Sequence, residues 1–136
     1  MEKVVLYFIF YGFVGWLMDT GFRTIRDKKF SQGSFLKIPF CSTYGLGALL
    51  LLLIQSWIIE QNILVQFVLL AVVLSAFEFI IGFLSSHVWG KRYWDYSKQP
   101  FNLFGHTDLE HAIYWGGLGV LFIHVVHPMV TAIFTF

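Results

Sequence analysis

Five ionisable side chains lie inside or beside long apolar segments of this chain, where a charge is costly to keep. They are Asp19, Arg23, Glu78, His106 and Glu110. A charged group near the centre of a bilayer costs on the order of 2.5–3.5 kcal/mol even on mild scales, so it needs a partner or a water-filled recess. Membrane proteins use such groups to bind ions and polar solutes, so these residues are the first candidates for function.

The first apolar segment carries a polar stripe near its C-terminal end. Trp16, Asp19 and Arg23 follow one another at steps of three and four residues, so a helix would place them on one face. Asp19 precedes Arg23 by four residues, which is the favourable order for an ion pair on a helix. Two interpretations stay open: the pair ties the helix end to the membrane interface, or it contacts a solute.

Glu78 lies deep in the third apolar segment. It precedes the predicted end of that helix by nine residues, or roughly 13 Å, and a Glu side chain is too short to reach water from there. Its predicted helical face also carries Ser75, Gly82, Ser85 and Trp89. We predict that Glu78 faces the interior of a helix bundle, either to bind a solute or to join helices.

A second carboxylate is expected at the mouth of the same interior. The string Thr107-Asp108-Leu109-Glu110 has the form of a capping box and predicts the start of a helix. Glu110, Gly117 and His124 recur every seven residues, with Tyr114 and Leu121 between them, and predict a second polar stripe. His127-Pro128 predicts the end of that helix. His124 and His127 are predicted to lie near the outer surface, in contact with water.

The stretch RYWDYSKQPFNLFG, residues 92–105, supplies the remaining candidates. Its acid and amide side chains can hydrogen-bond free backbone groups, and its aromatic side chains, Phe101 among them, can bury the apolar side of a loop. Pro100 prevents a continuous helix. A rigid interfacial loop and a solute-binding wall both remain open. In the second case the solute contacts come from Trp94, Asp95, Tyr96 and Asn102.

The composition indicates a membrane protein. Of the 136 residues, 57% are hydrophobic and only 12% are charged, which is too few charges for the surface of a soluble domain. Because a spanning helix needs roughly 20 apolar residues, we predict an all-α polytopic membrane protein, a four-transmembrane-helix bundle forming a single domain over residues 1–136. The first segment lacks a basic leading region and a cleavage site, so we expect a mature helix there. The four predicted spans are 4–22, 43–59, 63–87 and 109–127.

Cations are concentrated in two connections. All Lys and Arg residues except Lys3 lie within residues 23–42 or 88–108. The positive-inside rule therefore predicts that both loops are cytoplasmic, and that the two termini and the short turn at 60–62 lie outside the cell membrane. The ionisable side chains gather toward the same side, which predicts a polar pocket open to the cytoplasm. The cations are spread over short loops and form no basic face for nucleic acid.

Several strings along the whole chain match a known pattern. In the second half they are Glu78-Phe79, Trp94-Asp95-Tyr96-Ser97, Pro100-Phe101-Asn102-Leu103, Gly105, Trp115-Gly116-Gly117-Leu118-Gly119 and His127-Pro128. In the first half they are Gly15-Trp16, Asp19, Phe35-Leu36, Pro39-Phe40-Cys41 and Tyr44-Gly45. The chain thereby resembles the CmpB-like family of ABC-transporter type IV proteins. The resemblance implies a bacterial membrane permease and names no substrate.

Three functions are compatible with these patterns. We favour a permease-like component of a transporter, which with only four spans is expected to form a homodimer or to join other membrane subunits. The sequence holds no Walker-type GxxxxGK[ST] string, so ATP would have to be used by a separate protein. The alternatives are an intramembrane enzyme or redox protein that uses Asp, Glu and His, and a regulatory or scaffold membrane protein that transports nothing.

The predicted partners are the lipid bilayer and a small-molecule solute. We predict no catalytic residue and no metal site, because HExxH, CxxC and nucleophile-elbow strings are missing from the sequence. The patterns do not specify a cofactor. The predicted solute-binding residues are Trp16, Asp19, Arg23, Glu78, Trp94, Asp95, Tyr96, Asn102 and Glu110.

Overall fold

The computed structural model describes residues 1–31 and 40–134. Part of the first predicted cytoplasmic loop, including Lys37, Pro39 and the Phe35-Leu36 string, lies outside the described residues. Contacts divide the chain into two compact units, Met1–Leu53 and Ile54–Phe136. Each unit is described by itself below.

The described residues are helical. α1 covers Glu2–Asp27, α2 Ser42–Ile58 and α3 Ile63–His87. α4, Leu109–Leu121, continues through a π-helical turn, Phe122–Val126, into α5, His127–Phe134. Within the described ranges the only β pairing is an isolated bridge between Leu103 and Thr107. The helical fold class is therefore confirmed.

Three of the described helical stretches are long and apolar enough to cross a membrane. They are Glu2–Asp27, Ile63–His87 and the continuous stretch Leu109–Phe134. α2 is also apolar but has 17 residues, or roughly 25 Å, against a hydrocarbon core of about 30 Å. The structure thus supports a helical membrane protein with three long apolar helices and one shorter one.

Two helices extend beyond their predicted ends. α1 runs to Asp27, where Lys28 adopts a left-handed conformation with φ 55°. The last helix does not end at His127-Pro128, as predicted, but continues to Phe134. A proline ring clashes with the carbonyl four residues earlier in a regular α-helix. The π-helical turn before Pro128, in which the His127 N–H donates to the Phe122 carbonyl, gives the wider local spacing that admits this ring.

Glycines let the first unit pack closely. A Cβ atom on Gly12 would collide with the Phe40 ring, and one on Gly15 would collide with Tyr44. The Cys41 N–H donates a 2.9 Å hydrogen bond to the Gly12 carbonyl. Small residues are the usual means by which membrane helices approach one another.

In the second unit, α3 and α4 pack antiparallel. Gln66 and His124 meet near one end, and Glu78 meets the side chain of Trp115 farther along. A Cβ on Gly116 would lie 2.9 Å from the Phe67 carbonyl oxygen, and one on Gly119 would lie 3.1 Å from the Leu70 Cβ. Gly116 and Gly119 therefore form the contact face of α4.

The predicted stripe on α4 lies away from this contact face up to Leu121, whereas His124, in the π-helical turn, contacts Gln66 of α3. Its members are exposed: Glu110, Tyr114, Gly117, Leu121 and His124. A seven-residue repeat identifies one face of a helix but leaves open whether that face points inward. Close packing selected the face with the two glycines at 116 and 119, because only there can the α3 backbone come near.

Candidate functional site

The buried face of α3 carries a carboxylate at its middle. The buried positions follow at steps of four and then three residues: Gln66, Leu70, Leu74, Glu78, Gly82 and Ser85. Glu78 is only 6% exposed. Trp89, predicted on the same face, lies beyond the end of α3 and is exposed, because the helix stops at His87.

Glu78 meets a polar wall formed by the segment that follows α3. The Tyr96 hydroxyl donates a 3.4 Å hydrogen bond to Glu78 Oε2. The Thr107 hydroxyl and the Trp115 indole face the same carboxylate and interact with it. Glu78 Oε1 and Thr107 Oγ1 are both buried and lack a hydrogen-bond partner among the described residues.

A second buried carboxylate, Asp108, caps the N-terminus of α4. Its Oδ1 accepts hydrogen bonds of 2.8 Å from the His111 backbone N–H and 2.7 Å from His111 Nδ1. The Tyr96 ring stacks on the His111 ring with 4.1 Å between centroids. Asp108 is 3% exposed, and its Oδ2 has no hydrogen-bond partner in the described part of the chain. The His–Asp contact is thus accounted for by helix capping.

The predicted capping box is therefore wrong in its details. The cap is Asp108 rather than Thr107, because the Thr107 carbonyl accepts from the Leu103 N–H at 2.8 Å and holds Thr107 in the isolated bridge. Glu110 does not turn back toward the cap either. It is exposed and accepts a 2.6 Å hydrogen bond from the Tyr114 hydroxyl, away from Glu78.

We call Glu78, Tyr96, Thr107, Asp108 and His111 the buried polar cluster. Sequence reasoning placed Glu78 and Tyr96 near one another and overlooked Asp108 and His111 as a pair. The overlooked signal was available, because an acid at an N-cap and a histidine three residues later share one side of the first turn.

Asp95 and Asn102 brace the connecting loop, as predicted. Asp95 Oδ1 accepts from the Ser97 N–H at 2.9 Å, and hydrogen bonds from Ser97 hold the pKa of Asp95 below its usual value, with help from Arg92. The Asn102 amide donates to the Ser97 and Gln99 carbonyls at 3.2 and 2.8 Å and accepts from the Gly105 N–H at 3.0 Å. These bonds confirm the structural part of the prediction for both residues.

Trp94 connects the start of the same loop to its end at His106. Its indole N–H donates a 2.8 Å hydrogen bond to the His106 carbonyl. Both the Trp94 ring and the His106 ring lie against Gly82 of α3, where a Cβ would come within 3.0–3.1 Å of them. The absence of a side chain at Gly82 therefore allows the loop to pack closely against α3.

An aromatic cleft of about 620 Å³ opens between the last turns of α3 and this loop. His106 is 2% exposed, and its ring forms part of the lining of the cleft. Burial lowers the pKa of His106, and the neighbouring Arg92 and His87 act in the same direction. The complete lining consists of Phe79, Phe83, His87, Arg92, Asp95, Ser97, Asn102, Phe104 and His106.

The remaining predicted site residues lie in the first unit. Arg23 Nε donates a 2.9 Å hydrogen bond to Asp19 Oδ2, which confirms the predicted ion pair. Trp16 lies one turn before Asp19, and its indole nitrogen is buried. These three residues share one stripe of α1.

One histidine predicted to lie in water is in fact hydrogen-bonded. His124 Nε2 lies 2.7 Å from Gln66 Oε1, and Gln66 is itself buried and donates to the Gln61 carbonyl at 2.9 Å. The polar Gln66 near the start of an apolar span was the signal for such a partner. Among the described residues, no group of three or more His, Cys, Asp or Glu side chains could hold a metal ion.

Comparison with known proteins identifies the family of the chain. The sequence profile of the family described as Putative ABC-transporter type IV matches residues 6–136. No curated protein and no solved structure matches the chain.

Proposed function

Because the chain belongs to the ABC-transporter type IV family, we propose that it is a permease-like component of a membrane transporter that binds a small polar solute. The buried polar cluster is the proposed binding site. The loop that carries Trp94, Asp95, Tyr96 and Asn102 forms its wall, and the opening faces the cytoplasm.

A pair of buried carboxylates carries this proposal. Glu78 Oε1 and Asp108 Oδ2 are both shielded from water and lack hydrogen-bond partners among the described residues. A buried polar group left without a partner costs about 1–3 kcal/mol. An apolar residue of similar size at position 78 would avoid this cost. A polar solute could donate the missing hydrogen bonds to Glu78 Oε1 and Asp108 Oδ2.

The distribution of Lys and Arg residues supports the proposed orientation of the site toward the cytoplasm. Eight of the nine cations lie in the two long connections, so the positive-inside rule favours a cytoplasmic location for the loop beside the buried polar cluster. The Asp19–Arg23 stripe of the first unit, with Trp16, and Glu110 at the start of α4 stay predicted solute contacts. A homodimer or a complex with other membrane subunits would supply the further helices that a complete pathway needs.

Solute flux across reconstituted vesicles tests this function. We would measure by stopped-flow light scattering how fast proteoliposomes reswell after shrinkage in glycine, glutamate, acetate, ammonium or glycerol. At least one solute is expected to enter faster than in protein-free vesicles. Glu78→Gln should slow that entry about tenfold, which corresponds to one charge-assisted hydrogen bond of about 1.5 kcal/mol.

Glu60→Gln is the matched control, because Glu60 lies at the opposite end of α3 and is exposed. It makes the same carboxyl-to-amide change and should leave the flux unchanged. Equal flux in the wild type and the Glu78→Gln variant would indicate that the cluster only specifies packing, as in a scaffold protein. A chain that passes none of the solutes would count against the permease itself.

A further inference from the structure

The connection between α3 and α4 turns back along α3 instead of projecting beyond it. The Phe104 ring lies 6.3 Å from the Phe79 ring, and the His106 ring lies 5.3 Å from Phe79 and 6.0 Å from His87. Phe79 precedes the end of α3 by eight residues, or about 12 Å. Residues 104–106 therefore run beside the last two turns of α3, at the depth of the apolar helix.

The returning segment holds its largest apolar side chains outward. Phe101 and Phe104 are each 79% exposed, and Leu103 between them is 57% exposed. This corrects the expectation that Phe101 buries the apolar side of the loop. Phe101 and Phe104 have φ values of 55° and 54°, in the left-handed region that is unfavourable for a large side chain.

Hydrogen bonds keep the segment in this strained form. Asn102, between the two phenylalanines, makes three of them, to Ser97, Gln99 and Gly105. Arg92 donates a 2.7 Å hydrogen bond to the Phe104 carbonyl. Strain of this kind persists only where the surroundings over-determine it, so the outward position of the apolar side chains is built into the loop.

The same bonds satisfy much of the segment's own backbone. The Tyr96 N–H donates to the Gly105 carbonyl at 2.9 Å, the Leu103 N–H to Thr107 at 2.8 Å and the His106 N–H to Leu103 at 3.0 Å. Irregular backbone is tolerated at membrane depth only where its polar groups are satisfied within the protein. The three hydrogen bonds meet part of that requirement for this loop.

We propose that Phe101, Leu103 and Phe104 insert into the lipid bilayer beside α3, as an anchor for the segment. The lipid is favoured as the covering partner because these side chains continue the exposed apolar surface of α3 and its end, which includes Phe83, Val88 and Trp89. Lys98 stays on the exposed polar part of the same loop, where it can remain at the headgroups. The inference requires that α3 spans the membrane and is independent of any transported solute.

Depth measurements in vesicles test the anchor. In a Cys41→Ser background, Phe104→Cys and Lys98→Cys variants would carry an NBD fluorophore and be reconstituted in phosphatidylethanolamine and phosphatidylglycerol. Acyl-brominated phosphatidylcholine should quench the label at position 104 several times more strongly than the label at 98. Aqueous iodide should show the reverse order.

An Ile80→Cys label provides the reference for acyl-chain depth, because Ile80 is exposed on α3 itself. Bromolipid quenching at 80 with iodide quenching at 104 would overturn the anchor while leaving α3 in the membrane. Shielding of position 104 from both quenchers would show that protein covers the tip, which also overturns it. Absence of bromolipid quenching at position 80 would remove the spanning helix and the anchor together.

A second measurement avoids reliance on one labelled variant. Asn tolerates the left-handed region, so Phe101→Asn with Phe104→Asn removes the rings without adding backbone strain. Added phospholipid should raise the thermal midpoint of the detergent-solubilised wild type more than that of the double variant. An equal rise in both proteins would contradict the anchor.

Discussion

Single residues of the same type serve different purposes in this protein. Glu78 and Asp108 are buried, each with one oxygen that has no hydrogen-bond partner in the described part of the chain, whereas Asp95 is exposed and braces its loop through Ser97 and Arg92. Glu110 is also exposed and bonds only its neighbour Tyr114 among the described contacts. A carboxylate therefore becomes a candidate for solute binding through its surroundings, and its residue type is not sufficient.

His106 should make the stability of the protein depend on pH. Its pKa is lowered in the folded state, so the unfolded chain binds a proton more readily. The contribution of neutral His106 to the free energy of unfolding is then fully present above the ordinary histidine pKa of about 6.5, and it is lost as the pH falls below that value. The thermal midpoint in detergent should fall by a few degrees between neutral and mildly acidic pH.

His106→Gln provides the comparison, because glutamine does not titrate in this range. The variant should show a flatter dependence of the midpoint on pH, whatever its absolute stability. Asp95, whose pKa is also lowered, should contribute only in stronger acid, as the pH falls through the carboxylate range near 4. Identical slopes for the wild type and the variant would show that His106 does not titrate as inferred.

At the scale of elements, the contact between α3 and α4 depends on two small positions. Gly116 and Gly119 bring the backbone of α4 against Phe67 and Leu70. The neighbouring Gly117 is exposed, and a Cβ placed there would lie 4.0 Å from the Phe67 Cε2. Adjacent glycines in one string thus differ in what they do, since only two of the three face the partner helix.

Alanine substitutions should separate these glycines. Gly116→Ala places a methyl group 2.9 Å from the Phe67 carbonyl oxygen and should destabilise the protein by about 1–3 kcal/mol. Gly117→Ala adds the same atom at an ordinary van der Waals distance of 4.0 Å from the Phe67 ring and should be neutral or stabilising by up to about 1 kcal/mol. Unfolding of both variants in mixed detergent and SDS measures the difference. Equal stabilities would mean that α3 and α4 do not touch at Gly116.

At the scale of the whole molecule, the positive-inside rule predicts its orientation in the membrane. The loop at 88–108 should face the cytoplasm and the turn at 60–62 should face outward. In a Cys41→Ser background, an impermeant maleimide added to intact cells should label Asn62→Cys, and should label Lys98→Cys only after permeabilisation. The opposite pattern would invert the molecule and move the proposed binding site to the outer surface.

The amino-acid sequence by itself determined the helical membrane character and much of the helix positions. These properties follow from local composition and period, because a long apolar run can satisfy its backbone in lipid only as a helix. The α3 prediction, 63–87, agrees with the helix found, Ile63–His87. The burial of Glu78 was also predicted from its position along that helix.

Tertiary structure decided which faces turn inward and which residues meet. The seven-residue stripe on α4 was periodic but exposed, because close approach of α3 required Gly116 and Gly119. Asp108 displaced Thr107 as the helix cap because a bridge to Leu103 held Thr107. The return of the loop along α3 depended on Gly82, which left room for His106 and Trp94. The contacts of Gly82, Gly116 and Gly119 join residues at least twelve positions apart in the chain, so a local pattern does not encode them.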